Sequence, residues 1–153
     1  MIDELGTRLE NKKVLILGIG DRQRGDEGIG CFLIKRLQGK VNVPLIDGGL
    51  VPEKQLRSIE TSHPDVVLVI CAASIPDAVP GDMALFQLDE LRIAGVSTPA
   101  ANLSLFFKIL PKDVRPEIFV IGVQPETGSH QGVSDSVRVA LDGLEALCVE
   151  LFG

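Results

Sequence analysis

Short apolar runs, separated by glycine-rich or polar loops and by segments with helical spacing, constrain the fold of this chain most strongly. Runs of about seven residues suit strands of a parallel sheet that is buried on both faces. The same runs fall far short of the roughly 20 apolar residues needed to cross a bilayer. The predicted strands are Val14–Gly20, Val43–Ile46, Val66–Cys71 and Ile118–Val123, with Met83–Leu88 as an edge strand.

Helical periodicity fills the intervals between these strands. The predicted helices are Gly28–Leu37, Pro52–Thr61, Ala101–Leu110 and a final amphipathic helix that Ser134 caps, with Val137, Leu141, Leu144 and Leu147 along one stripe. Alternation of this kind predicts a three-layer α/β/α fold, in which a mostly parallel twisted sheet carries helices on both faces. We expect a single domain over residues 1–153 and assign the final apolar stripe to its core, which predicts a monomer.

Composition narrows the choice of partners and compartment. The net charge of −6 and an aromatic content of 4% argue against nucleic acid, whose binders need basic faces and stacking platforms. Three widely spaced cysteines form no CxxC pair, and the polar N-terminal segment lacks the apolar core of a signal peptide. The sequence therefore predicts a cytoplasmic protein that contacts neither nucleic acid nor membrane.

The loop after the first strand excludes the common nucleotide-binding motifs. Gly18 and Gly20 begin a G-x-G pattern, but Gln23 stands where the dinucleotide fingerprint needs its third glycine. Asp26 and Glu27 then open the next helix, where acidic side chains would repel a phosphate. No GK[ST] sequence supports a P-loop.

Candidate chemistry lies in the loops that follow the strands, because open α/β sheets bind ligands at the carboxyl ends of their strands. Asp26 and Glu27 either cap a helix or form part of a site. Asp47, with Gly48 and Gly49 behind it, either makes an Asx-turn or joins them. Carboxylates brought together at this edge could hold a divalent cation.

Two further side chains have a structural and a functional interpretation. Cys71 ends the third strand as a small core residue or as a thiolate ligand for a soft or borderline metal. His130 lies in the loop after the last strand and is either solvated or directed toward the site.

Five sequence blocks together are similar to the hydrogenase maturation endopeptidases. They read LILGIGDRQRGDEGIG, LIDGGLVPE, VLVICAAS, STPAANLSL and VIGVQPETGSHQGVS, and they run in order from about Lys13 toward the C-terminus. Such peptidases remove a C-terminal extension from the large subunit of a nickel–iron hydrogenase after nickel insertion. The resemblance implies that the precursor's nickel is recognised and that the peptidase binds no tight metal of its own.

The family's three metal-contacting positions carry over unevenly. The acidic residue of the first loop falls on Glu27, with Asp26 beside it as a second catalytic candidate. The aspartate after the third strand falls on Cys71, and the histidine falls on Ala101, which precedes Asn102. The resemblance thus implies Glu27 and Cys71 as metal contacts, while the predicted substrate-binding residues are Asp47, Gly48, Gly49, Asn102 and His130.

Two functions of different class follow from this uneven match. The first is an endopeptidase with a variant metal-recognition site, whose partner is a hydrogenase large-subunit precursor. The second is a catalytically degenerate binding module or chaperone, which recognises the precursor without cutting it.

Overall fold

The computed structural model describes residues 1–50, 52–98, 103–128 and 132–153. Its centre is a five-stranded sheet in the order β2-β1-β3-β5-β4, parallel except for the antiparallel edge strand β4. The strands are β1 (Val14–Ile19), β2 (Leu45–Gly49), β3 (Val66–Ala72), β4 (Met83–Gln87) and β5 (Glu117–Val123). The predicted three-layer α/β/α fold is confirmed, including the edge position of β4.

Helices cover both faces of this sheet. They are α1 (Ile2–Leu9), α2 (Ile29–Leu37), α3 (Leu56–Ser62), α4 (Glu90–Ile93), α5 (Leu103–Lys108) and α6 (Asp135–Phe152). Short 3-10 turns precede α2 at Gly25–Gly28 and α3 at Pro52–Gln55, and a third lies at Lys112–Val114. No helix in the described part of the chain is long and apolar enough to cross a membrane.

Alternate strand residues divide the core into two apolar layers. Ile16, Leu68 and Ile121 point into the layer covered by α1, α2 and α6. Leu17, Val69 and Val120 point into the opposite layer, covered by α3, α4 and α5. Every residue of β1 and β3 is buried, as parallel strands packed on both faces require.

Several element boundaries differ from the sequence prediction. The polar N-terminal segment, for which no element was predicted, forms α1. Its only buried residues, Leu5 and Leu9, lie four positions apart, so a helix places both of them on the face that meets the core. The second strand begins at Leu45 and continues through Gly49, since β1 pairs Gly18 with Asp47 and Ile19 with Gly49. The predicted cap of α6 is confirmed, with Ser134 Oγ accepting a hydrogen bond of 3.4 Å from Val137 N.

The connection from β1 to α2 depends on two glycines that let the helix approach the sheet closely. A Cβ on Gly30 would overlap the carbonyl oxygen of Ile70 and would lie 2.5 Å from the carbonyl oxygen of Ile19. A Cβ on Gly18 would overlap the Gly30 carbonyl and lie 2.5 Å from Ile34 Cγ1. Backbone therefore packs on backbone at the point where β1 passes into the first loop.

Gly30→Ala should lower the free energy of unfolding by about 1–3 kcal/mol, the usual cost of forcing extra volume into a packed core. Gly143→Ala is the matched control, because Gly143 lies on the exposed side of α6 with no atom within 4 Å of its added Cβ. That change should raise stability by about 0.5–1 kcal/mol through helix propensity. Urea denaturation measures both values, and a neutral Gly30→Ala would contradict the close approach.

Candidate functional site

A cleft lies at the carboxyl ends of β1, β3 and β5, beside the point where the chain switches from one side of β1 to the other. It consists of two adjoining cavities of about 250 and 200 Å³ that share Glu27, Ser74 and Pro125 as lining residues. The first cavity is also lined by Arg24, Asp26, Gln124, Glu126, Thr127 and Gly128, and the second by Ala72, Ala73, Ser97 and Thr98. A cleft is therefore present at the strand ends, where the topology of an open α/β sheet predicts a ligand site.

Backbone hydrogen bonds fix the walls of this cleft. Gly20 N donates to Gly49 O at 2.9 Å and Asp21 N donates to Glu27 O at 3.1 Å, which closes the first loop. The segment after β3 is joined to the segment after α4, because Ser74 and Ser97 exchange two backbone hydrogen bonds of 2.8 and 3.1 Å. The side chains at the mouth are therefore carried by segments with paired backbones.

Asp26 is a buried carboxylate that joins the first loop to the last one. Only 1% of the residue is exposed. Its Oδ1 accepts from Ser134 N at 2.7 Å, and its Oδ2 accepts from Ser134 Oγ at 2.7 Å and from Glu126 N at 2.9 Å. Three donors offset the cost of burying the charge. The predicted catalytic role of Asp26 requires its carboxylate to meet the substrate. Both oxygens of that carboxylate instead accept hydrogen bonds from protein donors.

Glu27 is the acidic side chain of this pair that borders both cavities. It is 37% exposed and forms an ion pair with Arg24, with 3.2 Å between Arg24 Nε and Glu27 Oε2. Pairs with this much exposure are individually weak, so Glu27 can exchange the guanidinium for another cation at small cost. The role of Glu27 as a metal contact stays a prediction.

Asp47 faces a different part of the first loop. Its Oδ1 accepts from Gly49 N at 3.1 Å, which is the Asx-turn interpretation of the Asp47-Gly48-Gly49 sequence. Its other oxygen forms an ion pair with Arg22. Asp47 lines neither cavity of the cleft, and Gly49 contributes through its carbonyl contact with Gly20.

Cys71 lies in the apolar layer under α4 and α5 and has no exposed surface. Burial raises the pKa of its thiol to about 12, so the thiolate that a metal requires is strongly disfavoured at neutral pH. Cys71 follows Val67 and Val69 in the alternation of β3, which directs its side chain into that layer. The geometry favours the core interpretation of Cys71 over the predicted metal contact.

The remaining predicted residues fall outside the described part of the chain. Asn102 and His130 lie there, as does Ala101. Among the residues that are described, no three His, Cys, Asp or Glu side chains converge as a metal-binding group. The structure therefore brings Asp26 and Glu27 to the cleft and leaves Cys71 and Asp47 out of it.

Arginines of the first loop are the main feature that sequence reasoning missed. Arg22 and Arg24 each pair with one of the candidate carboxylates. The available signal for these ion pairs was the DRQRGD sequence, in which two arginines lie between two aspartates. Ser74, a neutral residue after β3, also borders both cavities and carried no sequence signal.

Comparison with known proteins identifies the class to which this fold and cleft belong. A family model described as hydrogenase maturation protease matches residues 31–150. The Hydrogenase 3 maturation protease of Escherichia coli K12 is 27% identical over 139 residues, which cover 86% of this chain and 88% of that protein. A Methanocaldococcus jannaschii protein named for the same family is 28% identical over 165 residues, covering 99% and 95% of the two chains.

Solved structures agree with the family match. The crystal structure of the NiFe hydrogenase maturation protease HycI from Thermococcus kodakarensis superposes with a TM-score of 0.83 at 25% identity, covering 97% of each chain. The E. coli maturating endopeptidase HybD shares the fold, with a TM-score of 0.72, 21% identity and coverage of 88% of each chain. This chain belongs to the hydrogenase maturation protease family, a family of endopeptidases.

The native protein should present no reactive thiol, because all three cysteines are free and buried. Ellman's reagent at pH 8 should label no cysteine in the folded state and three after unfolding in guanidinium. One fast equivalent in the native protein, mapped to Cys71 by peptide mass, would put this thiol in the cleft and restore it as a metal contact.

Alkaline pH should destabilise the protein through two of these thiols. Burial raises the pKa of both Cys71 and Cys148 from 9.0 to about 12. Above pH 9 the unfolded chain loses these protons while the folded chain keeps them, so the free energy of unfolding falls as pH rises toward 12. Urea titrations at several pH values should show a shallower fall for Cys71→Ala/Cys148→Ala than for the wild type.

Proposed function

We propose that this chain is an endopeptidase that removes the C-terminal extension of a nickel–iron hydrogenase large-subunit precursor after nickel insertion. The observation that carries the proposal is the position of Glu27. It is the retained acidic residue of the family pattern, and it borders both cavities of a cleft at the switch point of the sheet. Membership of the hydrogenase maturation protease family supports the reaction class.

In this proposal nickel belongs to the substrate, and the peptidase needs no tightly bound metal of its own. Glu27 would exchange its weak pairing with Arg24 for a contact with the precursor's nickel. A metal held beside the scissile peptide bond can polarise its carbonyl and activate a water. His130 would supply a second contact, since Cys71 is buried in the core and Ala101 has no donor atom.

Peptide recognition in this proposal falls to the two walls of the cleft. Exposed Ser74 and Ser97 on one side, and Glu126 and Thr127 on the other, offer polar groups to an extended segment. Asn102 would add an amide. Asp47, Gly48 and Gly49 would act indirectly, by holding the first loop against β2.

A binding module that recognises the precursor without cutting it is the second candidate. Two observations favour it: the burial of Cys71, and the lack of a three-ligand group among the described residues. Both candidates share the client, a hydrogenase large-subunit precursor. They differ in whether a peptide bond is broken.

The proposed setting is a cytoplasmic monomer. All three cysteines are free and buried, which suits a reducing compartment. The stripe of α6 through Val137, Leu141 and Leu144 is buried in the core and so is not offered to a second copy. The net charge of −6 supports a client other than nucleic acid.

Intact-mass spectrometry separates the two candidates. The purified protein should convert a nickel-loaded large-subunit precursor into a product that lacks its C-terminal extension, and should leave the nickel-free precursor unchanged. An unchanged mass, with the loaded precursor retained in a pull-down, would establish the binding module instead.

Glu27→Gln should reduce processing of the loaded precursor by at least about 100-fold, because the amide loses the charge that contacts the metal. Glu117→Gln is the matched control. Glu117 is also a partly exposed, ion-paired glutamate, but it starts β5 at the opposite edge of the sheet, with 3.7 Å between its Oε2 and Lys12 Nζ. Equal processing by Glu27→Gln and the wild type would contradict the assigned role.

A further inference from the structure

We propose that Asp26 is a positioning residue that sets the separation between the first loop and the segment that follows β5, two of the segments that line the cleft. Its carboxylate fixes the turn that carries Glu27 against the segment that follows β5. The inference rests on the proposed function, because it assigns Asp26 a part in the same reaction. It replaces the interpretation of Asp26 as a group that meets the substrate.

The contacts of Asp26 join the first loop to the segment after β5 rather than closing the turn in which it lies. Its donors are Glu126 N, 100 residues away in the sequence, and Ser134 N and Oγ, 108 residues away. Glu126 lines the larger cavity together with Glu27, and Ser134 caps α6. One side chain therefore joins the first loop, the loop after β5 and the last helix.

The same contacts leave Asp26 poorly suited to act on a substrate. Both carboxylate oxygens already accept hydrogen bonds of 2.7–2.9 Å from protein donors, and the residue is 1% exposed. Glu27, the next residue, is 37% exposed at its side chain and borders both cavities. Asp26 thus acts through the placement of Glu27.

The chemistry of the donors explains why a carboxylate is needed. Ser134 Oγ can reverse its hydrogen bond and accept from an amide, but Glu126 N can only donate. In Asp26→Asn the NH₂ group takes the place of one carboxylate oxygen, so it faces either Ser134 N, which donates to Oδ1, or Glu126 N, which donates to Oδ2. In either orientation one of these two backbone donors loses its acceptor. Asp26→Asn therefore breaks one of the two backbone bonds that join the first loop to the segment after β5.

Ser134→Ala provides the matched comparison, because it spares both backbone bonds. It removes the hydroxyl that donates to Asp26 and caps α6, while Ser134 N and Glu126 N keep their carboxylate acceptors. Both variants should lower the thermal midpoint. If the role of Asp26 were purely structural, the loss of activity in each variant would be in proportion to the fall in its thermal midpoint.

Steady-state processing of the loaded precursor tests the proposal well below both thermal midpoints. We expect kcat to fall about 10- to 100-fold in Asp26→Asn with little change in KM, since misplacement of a catalytic group has effects of this size. Ser134→Ala should keep kcat within about twofold of the wild type. Equal kcat values for the two variants would overturn the positioning role.

Amide hydrogen exchange at residues 126 and 134 gives a readout that does not depend on cleavage. Both amides should be protected in the wild type and in Ser134→Ala, and one of the two should exchange rapidly in Asp26→Asn. Protection of both amides in Asp26→Asn would show that these bonds do not depend on the carboxylate, and would overturn the proposal.

The two hypotheses fail in distinguishable ways. If the wild type leaves the loaded precursor intact, the peptidase is wrong, and the dissociation constant of the precursor complex takes the place of kcat. Asp26→Asn should then weaken that complex at least tenfold while Ser134→Ala does not. Equal affinity of the two variants would reject the positioning role in that case as well.

Discussion

Burial of β1 and β3 on both faces is the constraint on which the remaining structure depends. Each residue of these two strands lies inside the protein, so neither strand can carry a charged side chain along its length. Polar chemistry is confined to the ends of the strands, where the backbone leaves the sheet. The helices must cover both faces, and the cleft forms at the edge that they leave open.

Local patterns predicted the parts of the molecule that depend on neighbours in sequence. The run from Val66 to Cys71 gave β3, and Ser134 gave the start of α6. The burial of Cys71 could also be predicted, because Cys71 follows Val67 and Val69 at every second position of the strand and so faces the same side of the sheet. What could not be read was the partner of Asp26: its donors lie 100 and 108 residues away, and only the folded topology brings them together.

Two arginines of the first loop pair with acids at or beside the cleft, although the chain as a whole carries −6. Arg24 faces Glu27 in the cleft, and Arg22 faces Asp47 at the end of β2. Such exposed pairs contribute little to stability. Both carboxylates are therefore free to change partners.

The strand order also dictates when this molecule can be completed during synthesis. β3 pairs with β5 on its outer side, and β4 pairs with β5 as well, so β4 emerges from the ribosome before it has a neighbour. Until residue 123 has been made, one edge of the most apolar strand remains unpaired, which is a surface prone to aggregation. A nascent chain of this topology therefore exposes an unpaired edge of β3 throughout the interval between β3 and β5.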